Sequence, residues 1–162
     1  MRRNSTYLSN IKYIISVLTL FLYQVFTVIM PLPPLIGVVF CYMIVMLLKK
    51  EKTLGNLGKD WYVCILYLFF VEQIHGFYLF SILIAFLLFY NFLLDWLLIN
   101  MKYRSLILVV ITTGSYICIL LINELFAYMQ NSQDFLNFNK EYFVFIGIES
   151  FISIFLFREK IL

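Results

Sequence analysis

The stretch PLIGVVFCYMIVMLLKKEKTLGNLGKDWYVCILYLFFVEQIHG, residues 34–76, holds two apolar runs joined by a lysine-rich connection. Lys49, Lys50, Lys52 and Lys59 all fall in that connection, and no Lys or Arg interrupts either run. The same alternation continues outward in both directions, with apolar stretches over residues 13–30, 34–48, 61–76, 77–100, 105–129 and 142–157. Arg2, Arg3 and Lys12 precede the first stretch, Lys102 and Arg104 separate the fourth from the fifth, and Arg158 and Lys160 follow the last. Lys140 alone, of the twelve basic residues, lies on the other side. Basic residues in short loops stay on the cytoplasmic face. The pattern therefore predicts an all-α, polytopic integral membrane bundle of six transmembrane helices, with N- and C-termini both cytoplasmic.

Composition points to the same class, since 64% of the 162 residues are hydrophobic and 13% charged. The mean hydropathy is +0.95, outside the usual range of soluble domains. A crossing needs about 20 residues, so six crossings fill the chain and predict a single transmembrane domain over 1–162. The net charge of +3 then belongs to orientation and to anionic headgroups, not to nucleic acid. Trp61, Tyr62, Trp96, Tyr103, Tyr128 and Tyr142 fall near span ends, where aromatic belts form. Met1-Arg2-Arg3 resembles the start of a secretory signal, but no small-residue cleavage site follows. Pro31, Pro33 and Pro34 instead read as a turn into the next apolar run, making the first stretch a permanent anchor. Cys41, Cys64 and Cys118 include no CxxC pair and read as packing residues. No metal or cofactor is expected.

The informative residues are acids within the apolar runs, because a carboxylate in hydrocarbon costs about 2.5–3.5 kcal/mol on insertion scales unless paired or solvated. Asp95 and Glu124 lie near span ends and read as interfacial. Glu72 and Glu149 lie deeper and read as buried polar contacts between helices, with proton or substrate chemistry as the lesser alternative. His75 has no second His or Cys at ligand spacing and is placed at the external turn between the third and fourth spans. The loop from Lys49 to Lys59 carries a GxxG at Gly55 and Gly58, read as a solvated cytoplasmic turn and only weakly as a phosphate motif. The connection from Gln130 to Glu141 is expected to be external. Gly147, Ser150 and Ser153 form a small-residue face suited to close helix packing. No GxSxG, P-loop or paired-carboxylate pattern occurs, so no enzymatic activity is expected.

The segment from Glu72 through Gln-Ile-His to Gly76, then Phe-Tyr-Leu to Phe80, resembles the D-L-x-S-G-x-x-L-G pattern of the rod-shape-determining membrane protein MreD family. Glu72 stands where the family has Asp and Phe80 where it has its second glycine, while the spacing from acid to Gly76 is retained. A late Gln in span one (Gln24), the proline turn ending at Pro34, the length and the short basic tail extend the likeness over nearly the whole chain. The resemblance implies a non-enzymatic subunit of the bacterial inner membrane, within the machinery that elongates the peptidoglycan wall. Its implied partners are the bitopic protein MreC and, through the assembly, MreB, RodA and its transpeptidase.

From the residues themselves, Gly76 is expected to supply a turn conformation closed to other residues. Glu72, one helical turn earlier, is expected to accept hydrogen bonds from amides freed by that turn or from a neighbouring polar residue. The alternative reading is the substrate-binding membrane subunit of an energy-coupling-factor type importer, which also has six helices. Against it, span one lacks the Ala or Gly at four-residue spacing used for docking on a coupling subunit.

Overall fold

The structure, a computed structural model, describes residues 2–53, 55–131 and 140–160, with side chains from residue 10 onward. The described residues form six helices and no strand. They are α1 (Arg2–Ile29), α2 (Ile36–Thr53), α3 (Lys59–His75), α4 (Ser81–Asn100), α5 (Arg104–Met129) and α6 (Lys140–Phe157). The breaks fall where the backbone chemistry demands them. Three prolines follow α1, Gly55 and Gly58 lie between α2 and α3, and Gly76 ends α3. Within each apolar run the helix satisfies its own amides and carbonyls, which hydrocarbon cannot do.

Three segments are long and apolar enough to cross a membrane, namely Asn10–Ile29, Ser81–Asn100 and Arg104–Met129. The others are shorter in uninterrupted apolar chain. α2 takes up Lys49, Lys50, Glu51 and Lys52, running five residues past the predicted end at Leu48. α3 opens on Lys59 and Asp60, and α6 opens on Lys140 and Glu141. The fourth helix starts at Ser81, not at Phe77, because residues 76–80 are spent on the turn. Most of the external loop predicted after Gln130 lies outside the described residues, at 132–139.

α5 is the central element, packed against α2, α4 and α6, whereas α1 packs chiefly on α3. Ile36, Phe40 and Ile44 of α2, Leu68 and Val71 of α3, Ile82 and Ala85 of α4, and Ile107, Leu108 and Ile111 of α5 are fully enclosed. The middle of α4, Phe89–Leu94, is wound as a π-helix. There the Phe89 ring fills the space left by Gly114, where an added Cβ would stand 2.5 Å from Phe89 Cε2. Cys41 Sγ faces the Leu108 carbonyl at 3.9 Å and the Tyr42 ring lies 5.9 Å from that of Phe157. From these contacts the second half of α2 runs toward the end of the bundle that holds the N-terminal part of α5 and the C-terminal end of α6, the lysine-rich end, where Lys49, Lys50 and Lys160 lie together.

Candidate functional site

At the opposite end, α3 and α4 are joined through Gly76, whose φ of 69° is left-handed. Both the Gly76 and Phe77 amides donate to the Glu72 carbonyl, the Phe77 bond measuring 3.0 Å. The Phe77 bond is the 6→1 bond of a Schellman closure and the Gly76 bond the 5→1 bond of the αL motif, and either helix end accounts for a glycine here. The Glu72 side chain then serves the next helix. Its Oε2 accepts the Phe80 amide at 2.9 Å and its Oε1 accepts the Ile82 amide at 2.7 Å. Phe80, the residue before α4, is itself left-handed at φ 67°. Ser81 opens α4, but its buried hydroxyl bonds to nothing among the described residues; of the amides freed at the helix start, Glu72 takes those of Phe80 and Ile82 while the Ser81 amide donates to the Tyr78 carbonyl at 3.0 Å. A second contact fixes the turn from outside, since the Tyr78 amide donates to Asn123 Oδ1 of α5 at 2.8 Å.

α2 begins in the same way with different partners. Leu35, the residue before it, is left-handed at φ 58°. The Gly37 and Val38 amides donate to Glu149 Oε2 of α6 at 2.6 and 3.3 Å, and the Tyr116 hydroxyl of α5 donates to Glu149 Oε1 at 2.5 Å. Glu149 is fully enclosed, and each of its contacts is one in which a carboxyl oxygen accepts. The N-terminus of α2 adds the positive end of its dipole. Gly37 is required by space, because a Cβ there would stand 2.9 Å from Glu149 Oε2 and 3.0 Å from Thr112 Cβ. Beside it, Thr112 and Ser150 hydroxyls pair at 2.6 Å, tying α5 to α6.

A third group binds α1 to α3 and to the proline turn. Gln24 is fully enclosed. Its Nε2 lies 3.0 Å from His75 Nε2, and Thr27 Oγ1 lies 3.1 Å from the same ring nitrogen. The Tyr67 hydroxyl stands 2.9 Å from Gln24 Oε1 and 2.8 Å from the Pro34 carbonyl, sharing one proton between two acceptors. Tyr23 donates to the Pro33 carbonyl at 2.8 Å. The proline turn is thus held through its carbonyls by tyrosines and, three residues on, through its amides by Glu149.

The structure brings Gln24 and Pro34 together through Tyr67, joins the Pro34 turn to Glu149, and leaves Glu72 and Gly76 in the separate α3–α4 turn. His75 ends α3 beside that turn with its ring toward α1. Asp95 and Glu124 are exposed on the bundle surface. Of the small-residue face on α6, Ser150 and Ser153 are buried, but nothing lies within 4 Å of where a Gly147 Cβ would be. Tyr67, Tyr116, Asn123 and Gly37 are contributors that sequence reasoning missed. Asn123 alone carried a signal, being a side-chain amide within an apolar run. Among the described residues no three His, Cys, Asp or Glu gather as a metal site. Comparison with protein families, curated proteins and solved structures finds no match for the chain.

Proposed function

We propose that the chain is a non-enzymatic, six-span subunit of the bacterial inner membrane, a diverged MreD-like component of the cell-wall elongation machinery. The observation that carries this reading is the backbone at residues 76 and 80. These are the two positions at which the family pattern places glycine, and both are left-handed, at φ 69° and 67°. Phe80 keeps the glycine-type conformation without the glycine, and its ring packs edge-on to Phe69 at 5.1 Å. The acid of the pattern, Glu72, has a structural task that needs no chemistry, holding the Phe80 and Ile82 amides at the start of α4. In this reading the hairpin end of the bundle faces outward. The exposed residues of the two turns, Met30 and Pro31 in one and Gly76, Leu79 and Phe80 in the other, then form the surface offered to a bitopic, MreC-like partner, and through it to the MreB, RodA and transpeptidase assembly.

Copurification from native membranes tests the partner, with an MreC-like bitopic protein expected in the eluate and an energy-coupling ATPase assembly as the outcome that would overturn it. Glu72 variants test the role of the acid. Glu72→Gln keeps an acceptor and should support rod shape in a complementation assay, whereas Glu72→Leu strands buried amides at about 1–3 kcal/mol each and should fail. Equal failure of both at matched membrane abundance would point to proton or cation chemistry. Reporter fusions after Lys50 and within residues 131–139 should read cytoplasmic and external respectively.

A further inference from the structure

The lysine-rich end of the bundle holds a cleft of about 360 Å³ between the last turns of α2, the α2–α3 connection and residue 160. This lies within the range of about 300–1,000 Å³ usual for small-ligand pockets. Lys49, Lys50 and Lys160 line it, with Asn56 as an uncharged hydrogen-bonding group and Val45 and Met46 as its apolar floor. Asp60 is the acid in the lining, and Tyr42 Oη donates to its Oδ2 at 3.3 Å. Glu51, the nearest acid in sequence to Lys49 and Lys50, is turned away to accept the Tyr90 hydroxyl at 2.6 Å. Among the described residues none of the three ammonium groups has an ion-pair partner. Lys160 Nζ instead lies over the Phe157 ring, 5.7 Å from its centre. Orientation in the membrane requires only that cations sit at this end. It does not require three of them, from the last turns of α2 and from the segment after α6, to converge on one concave surface with an apolar wall.

We propose that this cleft seats the phosphate of an anionic phospholipid, with Lys49, Lys50 and Lys160 sharing its oxygens and Val45 and Met46 meeting the adjoining glycerol and acyl carbons. Basic pockets between membrane helices recognise lipid headgroups in this way. The site rests on the reading that this end lies at a membrane boundary, and not on the identity of any protein partner. The reporter fusions test that orientation separately, so a failed lipid experiment and a failed topology are distinguishable.

The test is native mass spectrometry of the full chain released from micelles containing phosphatidylglycerol or phosphatidylcholine with identical acyl chains. One phosphatidylglycerol should be retained in preference to phosphatidylcholine. Its affinity should fall about fivefold for each lysine removed, from about 1 kcal/mol per basic residue near an anionic surface. Lys49→Gln/Lys50→Gln/Lys160→Gln is the main variant, and the exposed Lys160→Gln alone is the variant that leaves the helices untouched. Lys102→Gln/Arg104→Gln removes charge from the same end outside the cleft and should leave retention unchanged. Equal retention of the two lipids, or equal loss in the cleft and control variants, overturns the proposal. Displacement of the lipid by millimolar inorganic phosphate would reassign the cleft to a soluble anion and overturn it as well.

Discussion

The starts of α2 and α4 pose one physical problem and receive two different answers. In each, a left-handed non-glycine residue precedes the helix and a buried glutamate from elsewhere takes two amides at the helix start, Gly37 and Val38 in one and Phe80 and Ile82 in the other. At α4 the glutamate is Glu72, eight residues before Phe80 and on the same hairpin. At α2 it is Glu149, 112 residues from Gly37, and a tyrosine from a third helix completes the set. The levels differ too. Glu149 and Tyr116 lie midway along α6 and α5, whereas Asn123, which marks the α3–α4 turn, is two turns further along α5, roughly 10 Å away at 1.5 Å per residue. The α4 cap can therefore form as soon as the hairpin does. The α2 cap exists only when α2, α5 and α6 have come together, and it then holds them in register.

Glu149→Leu should accordingly be the most damaging single change. It strands two amides and one hydroxyl at a depth where water is scarce, and should cost about 3–5 kcal/mol after partial relaxation of donors worth about 1–3 each. Unfolding in mixed micelles, followed by helical circular dichroism, gives the number. Glu72→Leu strands two amides nearer the end of the bundle and should cost less. The distinction between a local and a global cap would not survive if Glu72→Leu proved the more destabilising of the two.

The second change acts on the same contact from the other side. Gly37→Ala introduces a Cβ that must displace Glu149 Oε2 or Thr112, and overpacking of this kind costs about 1–3 kcal/mol. Because the glutamate is what gives way, Gly37→Ala should add little in the Glu149→Leu background beyond its own contact with Thr112. Strict additivity in that double-mutant cycle would show that Gly37 and Glu149 act independently, and would separate the close approach from the cap.

What could be read from the chain follows the same division. The helices were legible as apolar runs, and so was the α3–α4 turn, where Gly76 and Glu72 are four residues apart and the acid meets amides of its own hairpin. The partners of Glu149 were not legible, because nothing at Gly37 or Tyr116 announces a contact with residue 149. Helical periodicity offers little help, since a lipid-facing side is as apolar as the core and the contrast that marks a buried stripe in water is lost. The depth at which α2 begins was hidden for the same reason. Residues 34–36 are as apolar as the helix that follows, so hydropathy places Pro34 inside the span, while the left-handed turn at Leu35 delays the helix to Ile36. The π-helical centre of α4 depends on Phe89 meeting Gly114, a contact between separate runs.

Gly76→Val tests the local answer. Nothing lies within 4 Å of a Cβ at this position, so the cost is purely one of backbone angle, about 1–2 kcal/mol for a left-handed residue and felt most by a β-branched one. Gly76→Asn should recover much of that loss, since asparagine tolerates this conformation. Thermal unfolding of the two variants in detergent decides it, and an equal loss from Asn and Val would mean that space, not angle, selects the glycine.

The smallest effect is expected at Gly147, two residues before Glu149 on α6. By sequence pattern it belongs with Ser150 and Ser153 as one small-residue packing face. The structure separates them, for both serines are buried while the position of a Gly147 Cβ has no neighbour within 4 Å. Gly147→Ala should then change stability by no more than about 0.5 kcal/mol, with any shift toward greater stability because alanine is the better helix former. Measured beside Gly37→Ala in the same micelles, it separates a glycine that admits a cap from one that merely sits near it. A loss as large as that of Gly37→Ala would place a close neighbour against α6 at this position, such as a second protein, and would extend the contact surface beyond the two turns.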